Sequence, residues 1–136
     1  TPARHDPNAG LGRIGVIATT SLERLVQSVA DVMERPPVTY AGDPGVHVSR
    51  IACCTGSGAS MIDAARDADA DVFITSDLKY HDADRARGMP LIGVPHARVE
   101  RLAMHQWFRT IFERALSPEG VEAMYADADT DPWQAA

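Results

Sequence analysis

The sequence predicts an α/β fold, a layered domain with a mostly parallel or mixed sheet flanked by helices, and three observations lead there. Short apolar, β-branched runs alternate with segments whose apolar residues recur at helical spacing, the order expected of strands joined by crossover helices. Glycines and polar residues gather where strand-like runs give way to helix-like ones, as in Cys54-Thr-Gly-Ser-Gly58. The length, 136 residues, suits one domain with a real core, and no internal repeat, low-complexity tract or linker divides it.

The elements follow in order. Arg13 to Ala18 reads as a strand. Ser21 can cap a helix in which Leu22, Leu25, Val26, Val29 and Val32 or Met33 return every three or four residues, until Pro36-Pro37 ends it. Val38 to Ala41 is a short strand and Gly42-Asp-Pro-Gly45 a turn. Val48 to Cys54 is a buried strand that runs into the glycine loop and a helix from about Ser60 to Ala68. Val72 to Thr75 is β-rich, Lys79 to Arg87 is a short helix or turn, and Leu91 to Val94 is the next strand. The longest helix starts near Ala97, with Val99, Leu102, Ala103, Trp107, Phe108, Ile111 and Phe112 as a broad apolar face, and Ser117-Pro-Glu-Gly120 stops it. Val121 to Tyr125 is expected as a final strand, and Asp127 to Ala136 as a loosely held acidic tail.

Composition narrows the function. Hydrophobic residues make up 45%, and 19 acidic against 13 basic residues give a net charge of −6. The basic residues are scattered, so nucleic acid binding through a basic face is not expected. The adjacent Cys53 and Cys54 have neither the spacing of a zinc clamp nor that of a redox pair, and in a strand they point to opposite faces, one of them into the core. No signal peptide or membrane-length apolar run is visible, which is the pattern of a cytoplasmic protein.

Candidate chemistry lies at the ends of the later strands. Asp77-Leu-Lys-Tyr-His81 follows one, and His96-Ala-Arg-Val-Glu100 follows the next. Ligands of open α/β sheets bind outside the carboxyl ends of the strands, where groups distant in sequence can converge. If a helix starts at Pro95, His96 and Glu100 stack at i, i+4 on one face, and an imidazole nitrogen and a carboxylate oxygen can reach a common ion. Asp77 and His81 form a second pair, able to orient a ligand or act as a general base; Asp77 can instead, or as well, cap the following helix. The loop after Cys54 can either cradle an anion or serve as a tight turn; it lacks the Lys of a P-loop. Arg13, beside Gly12, is a candidate for holding an anionic substrate. His5 lies in a leader segment, from which it can approach the cavity of an intact protein. His47 sits near a turn, and His105 is too far along its helix from Glu100 to share an ion.

Four stretches together resemble one family: Asp6-Pro-Asn-Ala-Gly-Leu-Gly-Arg-Ile-Gly15, Cys54-Thr-Gly-Ser-Gly-Ala-Ser60, Asp71-Val-Phe-Ile-Thr-Ser-Asp-Leu-Lys-Tyr-His81 and His96 with Glu100. In this order they are similar to the C-terminal half of the Nif-three-like proteins, also called GTP cyclohydrolase type-two-like. The resemblance implies a dinuclear centre of divalent ions (zinc, manganese, iron or magnesium) with His96 and Glu100 as ligands. It also favours His81 as a site residue and a glycine loop that lines the active cavity with Ser57 as a polar contact, and it implies a small phosphorylated or nucleotide-like substrate. A ring-shaped homo-oligomer is implied as well. Two features depart from the pattern. Family members are longer, and their remaining ligands, a His-His-Pro motif and an Asp, come from an N-terminal half that is not present here; the chain, opening at Thr1, is therefore expected to be a C-terminal fragment. Pro95 stands where the family usually has Gly. The expectation is the metal-binding half of a divalent-metal-dependent hydrolase, inactive by itself. The alternatives are a non-catalytic metal-binding or oligomer-forming module, or a nucleotide-binding module built on the glycine loop.

Overall fold

The computed structural model describes residues 2–3, 6–34, 37–122, 124–126 and 128–133; His5 lies outside them. Its strands are β1 (Pro2–Ala3), β2 (Asp6–Gly10), β3 (Arg13–Ser21), β4 (Thr39–Ala41), β5 (His47–Cys53), β6 (Val72–Thr75) and β7 (Leu91–Gly93). The helices are α1 (Leu22–Val32), α2 (Ile62–Asp67), α3 (Tyr80–Arg85), α4 (His96–Trp107) and α5 (Glu113–Leu116). A five-stranded sheet runs β3-β5-β6-β7-β4, with β5, β6 and β7 parallel and the two edge strands antiparallel to their neighbours. The mixed α/β sheet is therefore present as expected. β1 and β2 form a separate antiparallel pair that the sequence reading did not anticipate.

Strand periodicity divides the core between the two faces of the sheet. Val72 and Ile92 pack on one face with Leu22, Leu25 and Met33, and Val99 and Leu102 of α4 cover part of it. Phe73 and Leu91, their immediate neighbours in sequence, pack on the other face with Ile62 and Ala65 of α2 and with Ala86. Burial on both faces explains why β6 and β7 read as continuous apolar runs rather than alternating ones.

Local chemistry sets the boundaries. The Ser21 hydroxyl accepts from the Arg24 N–H at 3.3 Å, capping α1 as predicted. At α3 the cap is Lys79, whose N–H donates to the Asp82 carboxylate at 2.7 Å, so Asp77 does not cap that helix. A turn of 3-10 helix, Ala59–Met61, precedes α2, and a π-helical turn, Phe108–Phe112, separates α4 from α5. Only the first half of the long apolar face reaches the sheet; Trp107, Ile111 and Phe112 remain partly exposed, and Trp107 packs against Phe112.

The strand expected at Val121 to Tyr125 does not form: the described residues there, 121–122 and 124–125, have no regular structure. Tyr125 packs its ring against His105 and Phe108 instead, and the edges of the sheet are already held by β3 and β4. In the segment expected to be a tail, the described residues 128–133 carry no helix or strand. No helix among the described residues is long and apolar enough to cross a membrane.

Candidate functional site

Because β5, β6 and β7 are parallel, their carboxyl ends lie on one side of the sheet, and the loops after Cys53, Thr75 and Gly93 emerge together. Backbone bonds lock these loops to one another. The Val94 N–H donates to the Thr75 carbonyl at 3.0 Å, and the Ser76 N–H donates to the Gly56 carbonyl at 3.1 Å. Thr75, fully buried, ties the glycine loop down: its hydroxyl donates to the Gly56 carbonyl at 3.0 Å and accepts from the Gly58 N–H at 2.9 Å. Gly58 is required by this closeness, since a Cβ there would lie 2.3 Å from the Thr75 hydroxyl.

His96 is the first residue of α4, directly after Pro95, whose ring-fixed φ turns the chain from β7 into the helix. Its imidazole lies between two carboxylates. Nδ1 is 2.5 Å from Asp77 Oδ2, and Nε2 is 3.1 Å from Glu100 Oε1, one helical turn along. The hydrogen bond to Asp77 raises the His96 pKa above its ordinary value; burial works against this, and the charges of Asp77 and Glu100 add to the rise. All three side chains are between 39% and 53% exposed, so the group opens to solvent.

The i, i+4 pair expected from the sequence is thus in place, and its geometry suits an ion. With metal–ligand bonds of about 2.1 Å, two adjacent ligand atoms lie roughly 3.0–3.4 Å apart, and Nε2 and Oε1 fall in that range. Gly56, at φ +70, presses its backbone against them; a Cβ there would stand 3.0 Å from Glu100 Oε1 and 3.6 Å from His96 Nε2. The absence of that side chain leaves open the space beside the pair. Two ligands do not complete a site, and among the described residues no group of three or more His, Cys, Asp or Glu is arranged to hold a metal.

Of the other candidates, Asp77 is bonded to this centre and Ser57 adjoins it through Gly56. Asp77 belongs to it through His96 rather than through His81, the partner that sequence spacing suggested. His81 projects, exposed, from the first turn of α3, its ring edge-on to Tyr80 with centroids 5.5 Å apart. Ser57 is exposed in the glycine loop next to Gly56. Arg13 faces Cys53 across the sheet, and its guanidinium donates to the carbonyls of Gly10 and Gly12 at 2.8 and 2.7 Å. Cys53 is exposed, whereas Cys54, partly buried, packs against the core as expected of one of the pair, and burial followed by the neighbouring Cys53 pushes the Cys54 thiol pKa up. His47 is exposed at the start of β5, and His105 packs against Tyr125. Sequence reasoning missed Thr75 as the clamp of the loop; its signal was a lone hydroxyl closing an otherwise apolar strand.

The sequence profile of the family described as Duf34/NIF3 (NGG1p interacting factor 3) matches residues 3–132. A Mycobacterium leprae protein named GTP cyclohydrolase 1 type 2 homolog is 39% identical over 95 residues, 65% of this chain and 25% of the relative. The Lactococcus lactis protein of the same name is 29% identical over 133 residues, 94% of this chain and 50% of the relative. A solved Staphylococcus aureus structure superposes with a TM-score of 0.84 at 29% identity, covering 93% of this chain and 42% of that one. A Bacillus cereus protein related to NIF3 shares the fold, with a TM-score of 0.83 at 24% identity over 93% of this chain and 36% of its own. The chain therefore spans between a quarter and a half of the two curated relatives. With a profile match along almost its whole length, the chain belongs to the Duf34/NIF3 (NGG1p interacting factor 3) family.

Proposed function

We propose that this chain is the metal-binding half of a divalent-metal-dependent hydrolase acting on a small phosphorylated or nucleotide-like substrate, with the remaining ligands supplied from outside it. The observation that carries the reading is the His96–Glu100 pair, set at an ion's bite distance where three parallel strands end and where Gly56 leaves room. His96 Nε2 and Glu100 Oε1 would hold the ion. A divalent ion bound there supplies Lewis acidity, polarising a substrate oxygen and lowering the pKa of a bound water. His81, exposed on α3, is the candidate catalytic group, while Asp77 acts through His96; Ser57 and Arg13 are the candidate substrate contacts. The name GTP cyclohydrolase 1 type 2 homolog, borne by relatives, supports a nucleotide-like substrate.

A shallow cavity of about 280 Å³ on the flank of α4 is a poorer substrate site. Its arginines are already engaged, Arg98 by Glu34 and Arg101 by Asp129.

A second reading, a non-catalytic metal-binding or oligomer-forming module, draws on exposed apolar surface: Val16 and Ile14 on β3, and Trp107, Ile111 and Phe112 at the far end of the long helix. A ring-shaped homo-oligomer is proposed under either reading. Metal analysis and turnover assays on the intact parent protein separate the two. His96→Ala and Glu100→Ala should each strip most of the metal, whereas His47→Ala and His105→Ala should not. Full occupancy in the His96→Ala protein would remove the reading, and full occupancy without turnover in the unaltered protein would favour the second.

A further inference from the structure

We propose that Asp77 is a positioning residue that fixes the neutral tautomer of His96, holding the proton on Nδ1 so that Nε2 is presented as the metal-binding nitrogen. The inference rests on the reading of His96 as a ligand and names what orients it. A neutral imidazole carries one proton, and the hydrogen bond at one ring nitrogen decides which atom keeps it. Here two carboxylates compete, and they are not equivalent. Asp77 Oδ2 is 2.5 Å from Nδ1, whereas Glu100 Oε1 is 3.1 Å from Nε2.

Their supports also differ. Glu100 reaches the ring through a long side chain from an exposed helical position. Asp77 has a short side chain on backbone that is fixed on both sides: Ser76 is bonded to Gly56 before it, and Lys79 is capped by Asp82 after it. Asp77 itself is held at φ +57, a left-handed conformation that Asp tolerates better than most residues with a Cβ and that Glu34, Asp69 and Arg87 also adopt. The turn from β6 to α3 could use glycine at this point at lower conformational cost. With helix capping assigned to Lys79 and Asp82, what the carboxylate at position 77 does in this structure is bond His96. Nδ1–H directed at Asp77 leaves the Nε2 lone pair facing Glu100 and the gap beside Gly56.

The test uses the full chain with ¹⁵N-labelled histidine, free of metal, at a pH high enough for a neutral ring. Two-dimensional ¹H–¹⁵N spectra then read which nitrogen of His96 bears the proton. The unaltered chain should show the Nδ1–H tautomer. Asp77→Gly suits the backbone at φ +57, so it should melt at the same temperature or higher, yet the tautomer should shift toward Nε2–H. Zinc titration should show affinity reduced by about 10–100-fold in that variant. An Nε2–H tautomer in the unaltered chain, or an Asp77→Gly variant with unchanged tautomer and zinc affinity, would overturn the proposal. Failure of the unaltered chain to bind zinc at all would instead overturn the ligand reading, and the tautomer measurement would still decide the role of Asp77.

Discussion

Gly56 and Thr75 decide whether the space beside His96 exists. Gly56→Ala places a methyl 3.0 Å from Glu100 Oε1 and forces a residue with a Cβ to φ +70. Left-handed backbone of this kind costs about 1–2 kcal/mol, so the variant should lose roughly that much stability in a denaturant titration, and its zinc affinity should fall as Glu100 is displaced. Thr75→Val keeps the shape but removes both hydroxyl bonds to the loop, leaving the Gly58 N–H without that partner in a buried position. An unsatisfied buried group costs about 1–3 kcal/mol, and chemical denaturation should show a loss in that range. At this scale the sequence revealed what lies close along the chain. The His96–Glu100 pair needs only helical spacing to be seen. The bond from Asp77 to His96 spans 19 residues and depends on one left-handed turn, which no local pattern announces.

Among the elements, the joint between β5 and β6 depends on Asp71, just before β6. One of its carboxylate oxygens accepts from the N–H groups of Ser49 and Arg50, each at 2.8 Å, and from the Ser49 hydroxyl at 3.1 Å. The bonds from Arg50 and then Ser49 hold its pKa below the ordinary carboxylate value. Since the folded pKa is the lower one, the stabilisation is fully present above the unfolded value of about 3.9. It disappears as pH falls through the folded value. Asp71→Ala should therefore cost about 1–2 kcal/mol at neutral pH, with the difference from the unaltered chain shrinking below about pH 4; melts across that range check it. The parallel strands were legible because burial on both faces makes them continuous apolar runs. Val121 to Tyr125 looked like another such run, but a strand needs a partner strand, and Tyr125 found helix α4 instead. The pairing of β1 with β2 was not legible because Asp, Pro, Asn, Ala and Gly make up β2, residues of low strand propensity.

At the scale of the whole molecule, the fold was readable because alternation of elements and two-faced burial point to one architecture, while the completeness of the site was not, since it depends on groups that the described residues do not bring together. The central claim is that His96 and Glu100 are metal ligands in an incomplete site. Structural and catalytic zinc sites ordinarily use three or four protein ligands. Calorimetric titration of the isolated chain with zinc, alongside its His96→Ala and Glu100→Ala variants, tests the claim most directly. The account predicts weak binding in the unaltered chain, abolished by either substitution. Tight uptake of two zinc ions per chain, or binding indifferent to His96 and Glu100, would contradict it.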